Sequence, residues 1–349
     1  MADVVRVVVT GGAGQIAYSL IPHICKGLIF GPSTMVDLRL LDIEPAKDAL
    51  KGVVMEIQDS AYDLMASVMA TTDVAQAFKD VQVAVLLGGF PRKQGMERQD
   101  LIEKNVQIMR LHGQALEQHA DRNCKVVVVA NPANTNCLVA MKYAPSISPA
   151  NFSALTRLDH DRLRGMLAAK VTEKSHHKIS AKDIRNCVIW GNHSSSQVPD
   201  ATHAEALVEG KWQAIAPLCN DPQWLEKELV PAVQNRGAAV IAARKLSSAL
   251  SAANAVACHL RDWVGVTSSS TTGDGMFVSM AVISDGNPYG IPEGLVFSFP
   301  VASSNGKCEI VQGLSISTHV RELLDATVAE LLAEREMATS IIAARQGAL

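Results

Sequence analysis

Short apolar runs and amphipathic stretches alternate along the first 150 residues of the chain. The apolar runs are rich in Val, Ile and Leu and predict strands at 4–10, 36–43, 81–88 and 125–131. Between these runs, helical patterns begin near Gly14, Ala46, Glu97 and Thr135. Because each strand is followed by a crossover helix of right-handed sense, this half predicts a doubly wound parallel sheet of the α/β class.

The rhythm of the sequence changes after about residue 152. The pattern there predicts helices at 160–172, 222–228, 235–263 and 318–345, and strands at 186–190, 276–284 and 293–301. Strict strand–helix alternation is lost, which favours a second domain of the α+β type. We therefore expect two domains, 1–152 and 153–349, with a surface loop at 267–275 (TSSSTTGDG).

The composition of the chain indicates which kinds of binding partner and which cellular compartment to expect. The 349 residues are 48% hydrophobic with a formal net charge of −3, so nothing drives binding to nucleic acid or to an anionic membrane. No apolar run approaches the roughly 18 residues of a spanning helix, and the first residues lack a secretory pattern. The seven cysteines are scattered singly, and adjacent His176 and His177 lack the spacing of a helical metal site. We expect a soluble cytoplasmic protein with reduced thiols and no bound metal.

A glycine-rich turn follows the first predicted strand. Residues 7–17 read VVVTGGAGQIA, so the strand runs directly into Gly11-x-x-Gly14-x-x-Ala17 and then into a helix. Glycines allow a tight turn and let a pyrophosphate approach the free N–H groups of the helix N-terminus. The second strand ends in Asp42, where a carboxylate accepts the ribose hydroxyls of NAD and repels the 2′-phosphate of NADP. The alternative is that Asp42 only caps the following helix.

Three further segments carry groups suited to catalysis. The loop 89–100 (GFPRKQGMERQD) is basic and contains Arg92 and Arg98. Asp159 and Arg162 in TRLDHDR are three residues apart and therefore share one helix face. His193 follows a strand in WGNHSSSQVP. Taken singly, these are also compatible with surface arginines, a helix ion pair and a loop histidine.

Together and in this order, the motifs resemble the malate dehydrogenase branch of the lactate/malate dehydrogenase family, in particular its cytosolic NAD-dependent members. The resemblance covers nearly the whole chain, from VTGGAGQIAYSL through LLDIEP, GMERQDL, VVANPANTNCL, FSALTRLDHDR and WGNHSSSQVPD to ISDGNPYGIPEGLVFSFPV. It implies a Rossmann-type NAD-binding domain, a catalytic domain, and reversible oxidation of malate to oxaloacetate.

The resemblance also implies roles for individual residues. His193 would be the acid/base and Asp159 its carboxylate partner, while Arg162 would hold the C1 carboxylate of the substrate. Arg92 would hold the distal carboxylate, Arg98 would polarise the carbonyl, and Asn131 would reach both nicotinamide and substrate. The cofactor-binding residues would be Gly11, Gly12, Ala13, Gly14, Gln15, Ile16, Ala17, Asp42, Gly88, Asn105, Val129, Ala130 and Asn131.

Two further expectations come from the same resemblance. The cytosolic members are homodimers, and the helical stretches 46–64 and 235–263 could supply the interface. His112 departs from the pattern, since this branch commonly has glutamine near the cofactor at that position.

Two other functions remain open at this point. A dehydrogenase of lactate or of an aromatic 2-hydroxy acid would use the same His193, Asp159, Arg162 and Arg98, and only Arg92 would lack a partner on a monocarboxylate. A non-catalytic NAD-binding scaffold would need only the glycine turn and Asp42. The presence of all five polar residues argues against the scaffold.

Overall fold

The computed structural model describes residues 4–91, 96, 98–175, 177–265, 275–304 and 306–346, with backbone alone at 98, 304, 345 and 346. Six parallel strands form the first part of a large sheet: β1 Val4–Thr10, β2 Met35–Leu41, β3 Met65–Thr71, β4 Val83–Leu86, β5 Lys125–Val128 and β6 Phe152–Ala154. Their spatial order is β3-β2-β1-β4-β5-β6. The predicted doubly wound sheet is confirmed, and its order reverses between β1 and β4, where such sheets bind ligands.

Five helices accompany these strands: α1 Gln15–Cys25, α2 Lys47–Asp59, α3 Val74–Phe78, α4 Arg98–His119 and α5 Ala133–Lys142. Buried apolar residues of α1 contact one face of the sheet, and those of α4 and α5 contact the other. The strands between them are buried on both sides and are rich in valine, as expected of a parallel sheet covered by helices.

The second half begins with the long helix α6 Arg157–Ser175. Five short strands then form two small sheets, β7 Ile184–Arg185 with β10 Glu205–Val208 and β11 Lys211–Ala214, and β8 Val188–Trp190 with β9 Val198–Asp200. The helices that follow are α7 Ile215–Cys219, α8 Leu229–Arg244 and α9 Leu250–Val264. A separate apolar core, which includes Leu163 and Leu167, lies between α6 and these elements.

Three late strands extend the large sheet instead of forming one of their own. β12 Val278–Ile283, β13 Val296–Ser304 and β14 Lys307–Ile310 are antiparallel, and β12 pairs with β6. The chain ends with α10 Thr318–Gln346, which packs against α4 and α5. Among the described helices, none is both long and apolar enough to cross a bilayer.

The predicted single helix at 235–263 is wrong. α8 ends at Arg244, and Lys245 adopts a left-handed φ of 61° while its N–H donates to the carbonyl of Ile241. α9 starts only at Leu250, after Ser247 and Ser248. Serine competes with the helix by bonding locally to the backbone, so a turn here interrupts a stretch that looks continuously helical in sequence.

A buried ion pair fixes the start of α6. Arg157 is 2% exposed and donates to the fully buried side chain of Asp262 on α9, and its Nε also bonds Asp161 Oδ1 at 3.0 Å. Burial opposes ionisation of Asp262, but Arg157 and Arg261 outweigh it and lower the pKa of the carboxyl. The first turn of α6, which carries Asp159, is therefore held against α9.

Candidate active site

The β1–α1 turn has the form expected of a pyrophosphate cradle. Gly11 has a φ of +68°, and a Cβ there would lie 3.0 Å from the backbone of Gly88 in the loop after β4. Gly14 precedes α1 and is exposed, and no side chain caps the helix there. The N–H groups of Gln15 and Ile16 therefore face solvent at the positive end of a helix dipole, an arrangement that fits a phosphate.

Asp42 is tied to this turn. Its Oδ2 accepts the N–H of Ala13 at 3.0 Å, and its Oδ1 accepts the N–H of Ile43 at 2.8 Å. No side chain caps the short helix Glu44–Ala46 or α2, so the reading of Asp42 as only a helix cap is wrong. A carboxylate oxygen can accept two hydrogen bonds, so each oxygen of Asp42 keeps capacity for a ribose hydroxyl.

The other predicted cofactor residues line the same edge of the sheet. Gly88 donates its N–H to Thr10 Oγ1 at 3.0 Å, and the N–H groups of Val129 and Ala130 both donate to the carbonyl of Leu86. Asn131 follows with an exposed side chain. Hydrogen bonds therefore join the carboxyl ends of β1, β4 and β5 at one edge of the sheet.

Asn105 and His112 lie on α4, and both are buried. Asn105 holds the loop after β4: its Oδ1 accepts the N–H of Phe90 at 2.8 Å, and its Nδ2 donates to the carbonyls of Phe90 and Leu101. A direct contact of Asn105 with the cofactor stays a prediction. His112 packs its ring 5.8 Å from that of Phe78 with Nδ1 unbonded, and burial lowers its pKa to about 4.

The structure brings together the two predicted catalytic residues, His193 and Asp159, and the predicted substrate-binding Arg162 in one cluster. His193 Nδ1 lies 2.5 Å from Asp159 Oδ2, and Arg162 Nη1 donates to Asp159 Oδ1 at 2.9 Å. Asp159 is fully buried, whereas the side chains of His193 and Arg162 retain 18% and 13% exposure. Gly237 of α8 faces the guanidinium of Arg162, and even a Cβ there would stay 3.8 Å from it.

Charges within this cluster shift the pKa values of its members. Burial of the His193 ring opposes protonation, but the charge of Asp159 and its hydrogen bond outweigh burial and raise the pKa above the usual value. Burial likewise opposes ionisation of Asp159, and His193 and Arg162 outweigh it, so the pKa of this carboxyl is lowered. Both charged forms are therefore favoured, the imidazolium at His193 and the carboxylate at Asp159, as in an acid/base relay.

Two polar residues at the start of α5, Asn134 and Asn136, connect the two halves of the site, and neither is among the site residues predicted from the sequence. Asn134 accepts the backbone N–H of His193 at 2.9 Å and donates to the carbonyls of Gly191 and Val296. Asn136 donates to the carbonyl of Ala130 at 2.8 Å. In the sequence, the feature that indicates them is the polar run NPANTN directly after a predicted strand. In the structure, the polar residues 134–136 of this run are buried.

Parts of the predicted site lie outside the described residues. Arg92 is one of them, and of Arg98 the structure describes only the backbone, at the first position of α4. The stretch 266–274 and His176 are also outside. Among the described residues, no group of three or more His, Cys, Asp or Glu side chains is arranged to hold a metal ion, and all seven cysteines are free.

A glycine turn at the switch point of a doubly wound sheet, an acid at the end of its second strand and a His–Asp–Arg cluster after the sixth strand are typical of a dinucleotide-dependent dehydrogenase. The chain belongs to the lactate/malate dehydrogenase family. Residues 5–153 match the family's NAD binding domain, and residues 156–342 match its alpha/beta C-terminal domain. Members of this family are NAD-dependent oxidoreductases, and so is this chain.

Curated relatives match along the full chain. The cytoplasmic malate dehydrogenase of Medicago sativa is 50% identical over 97% of this chain and 99% of its own. The cytoplasmic malate dehydrogenase of Homo sapiens is also 50% identical, over 97% of this chain and 98% of its own.

Solved structures agree with the fold. Malate dehydrogenase from Naegleria fowleri superposes with a TM-score of 0.88 at 41% identity, covering 98% of this chain and 99% of its own. Lactate dehydrogenase from Trichomonas vaginalis, in complex with NADH and oxamate, superposes with a TM-score of 0.89 at 36% identity. The match covers 97% of this chain and 99% of that enzyme. The same architecture therefore serves enzymes named for two substrates, so substrate choice depends on individual side chains.

The position of Asp42 predicts its effect on cofactor choice. Asp42→Ser should erode the preference for NADH over NADPH by ~1 to 3 kcal/mol, because the carboxylate no longer accepts ribose hydroxyls or repels a 2′-phosphate. The measurement is the ratio of kcat/KM for the two cofactors, with Asp48→Ser, an exposed acid on α2, as control. A mutant that retains the full preference of the parent contradicts the assignment.

Proposed function

We propose that the chain catalyses the reversible oxidation of malate to oxaloacetate with NAD. The observation that carries the proposal is the cluster of His193, Asp159 and Arg162 beside the crevice that fits a dinucleotide. It combines a proton donor and acceptor with a cation for a substrate carboxylate. The curated relatives named malate dehydrogenase at 50% identity support the same substrate pair.

The cofactor would lie along the carboxyl edge of the sheet. The turn from Gly11 to Ala17 would hold the pyrophosphate, Asp42 the ribose hydroxyls, and Gly88 with 129–131 the nicotinamide half. When bound, the nicotinamide accepts the hydride from malate or supplies it to oxaloacetate. In this scheme Asn105 acts through the backbone of Phe90, whose position it fixes.

His193 would move the proton that accompanies hydride transfer. In reduction the imidazolium donates a proton from Nε2 to the nascent alkoxide, and in oxidation the neutral ring accepts the hydroxyl proton. Asp159 binds Nδ1 and so directs Nε2 towards the substrate, while its charge stabilises the imidazolium. Because Asp159 is fully buried, water does not weaken this interaction.

Arginines would recognise the substrate. Arg162 offers a planar fork to the C1 carboxylate, a geometry that lysine lacks. Arg98 would polarise the carbonyl, and Arg92 would pair with the distal carboxylate that distinguishes malate from lactate.

We further propose that 1–152 and 153–349 act as the NAD-binding and catalytic domains, and that the protein works in the cytoplasm. The domain division agrees with the two family matches, which meet between residues 153 and 156. The compartment follows the curated relatives, which are named cytoplasmic.

The raised pKa of His193 predicts opposite pH profiles for the two directions. Reduction needs the protonated ring, so kcat/KM for oxaloacetate is full below this pKa and falls as pH rises through it, whereas kcat/KM for malate rises. Asp159→Asn removes the charge that raises the pKa, so both transitions should move to lower pH. Steady-state kinetics across pH measure this.

His193→Gln is the matched control for those profiles. It should bind NADH almost normally, as measured by fluorescence titration, and lose several orders of magnitude in turnover, on the order of 10³ or more, since proton transfer is lost. Near-complete retention of activity with an unchanged pH profile would mean that another residue is the acid/base.

Arg92 is expected to set the choice between substrates. Arg92→Gln should lower kcat/KM for oxaloacetate by roughly two to four orders of magnitude, the scale of a lost charge-assisted contact in a closed site. Pyruvate and phenylpyruvate should lose far less, because they lack the distal carboxylate. The assay follows NADH absorbance with each of the three substrates, and equal losses on all three contradict a role in recognition.

We also propose a homodimer. Exposed apolar side chains lie in the two predicted interface stretches, with Met55 of α2 61% exposed and Ile241 and Leu250 at 51% and 75%. Light scattering should give twice the 37.3 kDa of one chain, and Met55→Asp should shift the protein towards half that mass. A monomeric parent protein at micromolar concentration contradicts the proposal.

A further inference from the structure

The last helix presents polar side chains to the loop that carries His193. Thr327, Glu330 and Glu334 are spaced so that they share one face of α10. Thr327 is fully buried, Glu334 is 2% exposed, and Glu330 is partly buried. A carboxylate as buried as that of Glu334 is uncommon unless it is bound, and both glutamates accept hydrogen bonds from the loop between β8 and β9.

Glu330 binds the residues on both sides of His193. Its Oε2 accepts a hydrogen bond from Asn192 Nδ2 at 2.9 Å and another from Ser194 Oγ at 2.6 Å. Ser196 Oγ donates to the same oxygen. Three donors from the segment 192–196 therefore converge on one carboxylate oxygen, and His193 lies between two of them.

Thr327 and Glu334 extend this attachment. Thr327 Oγ1 accepts the backbone N–H of Asn192 at 2.9 Å, and Glu334 Oε1 accepts from Asn192 Nδ2 at 3.0 Å. Thr135 of α5 donates to the other oxygen of Glu334. α10 is thus bonded both to the histidine loop and to the helix that follows Asn131.

The backbone under this contact leaves no room for a side chain. Gly191 has a φ of +90°, and a Cβ there would lie 2.4 Å from the side chain of Thr327. Gly191 also exchanges two backbone hydrogen bonds with Ser298 of β13, at 3.1 and 2.9 Å. Gly191, at the start of the loop, therefore lies between β13 and α10, and Glu330 binds the following residues 192–196.

We infer that Glu330 is a positioning residue for the acid/base step, an inference that rests on the proposed function of His193. Hydrogen bonds to a carboxylate are roughly twice as strong as those to a neutral oxygen, so the charge of Glu330 restrains the loop more tightly than an amide would. Glu330 does not act on the substrate. It fixes where the backbone of His193 lies, and Asp159 then fixes the direction of the ring.

The test compares the parent protein with Glu330→Ala, Glu330→Gln and Glu336→Ala, where Glu336 is exposed on the same helix. Measured quantities are kcat and KM for oxaloacetate, the NADH dissociation constant, and the number of NADH sites per chain. A displacement of about 1 Å in a catalytic group costs on the order of 100-fold, so kcat of Glu330→Ala should fall by about that factor. Glu330→Gln, which keeps one acceptor, should recover part of the loss.

Further results separate positioning from a general loss of structure. Expressed per NADH site, kcat should fall in both Glu330 variants, while the NADH dissociation constant and the Glu336→Ala variant stay as in the parent. The inference is overturned if Glu330→Gln has a kcat per NADH site within twofold of that of the parent. This criterion applies even if Glu330→Ala fails to fold. If the parent itself does not reduce oxaloacetate, the proposed function fails first.

Discussion

The buried carboxylate of Asp159 is the constraint on which the rest of the site depends. An ionised acid with no exposure is costly unless its charge is paired and its oxygens are bonded. Here one oxygen binds His193 and the other binds Arg162. Because both partners are cations or become cations, the same interaction that stabilises Asp159 raises the pKa of His193 and holds Arg162 beside it.

This pairing requires that two separate elements, α6 and the loop that carries His193, keep their relative positions. Asp159 lies in the first turn of α6, which Arg157 fixes to Asp262 of α9. His193 lies on a loop whose backbone is bonded by Asn134 of α5. A hydrogen bond between these two side chains tolerates little movement of either element, so the buried ion pair and the buried amide of Asn134 both hold Asp159 and His193 together.

The sequence alone indicated His193, Asp159 and Arg162, which the structure brings together, but not many of the residues that bind the elements around them. Asp159 and Arg162 share a helix face by spacing alone, and the glycine turn is recognisable because it follows a strand. Asn134 and Glu330 could not be recognised in the same way, since a polar residue within a helical pattern ordinarily marks the solvent face. Only the fold shows that these faces meet the histidine loop. For a similar reason β3 was missed, because its partly exposed MASVMAT lacks the β-branched density of a buried strand.

Charge balance explains why substrate choice is separable from the chemistry. The cluster of Asp159, Arg162 and protonated His193 carries one net positive charge, which matches a single substrate carboxylate. A dicarboxylate brings a second negative charge into a water-poor site and needs a second cation, while a monocarboxylate would leave such a cation unpaired. His193, Asp159 and Arg162 lie on elements fixed by buried contacts, whereas Arg92 is distant from all three in sequence, in the segment 89–100. In the proposed mechanism, a change in that segment would therefore alter which acid is accepted and leave the proton relay unchanged, and relatives of one architecture are indeed named for both malate and lactate.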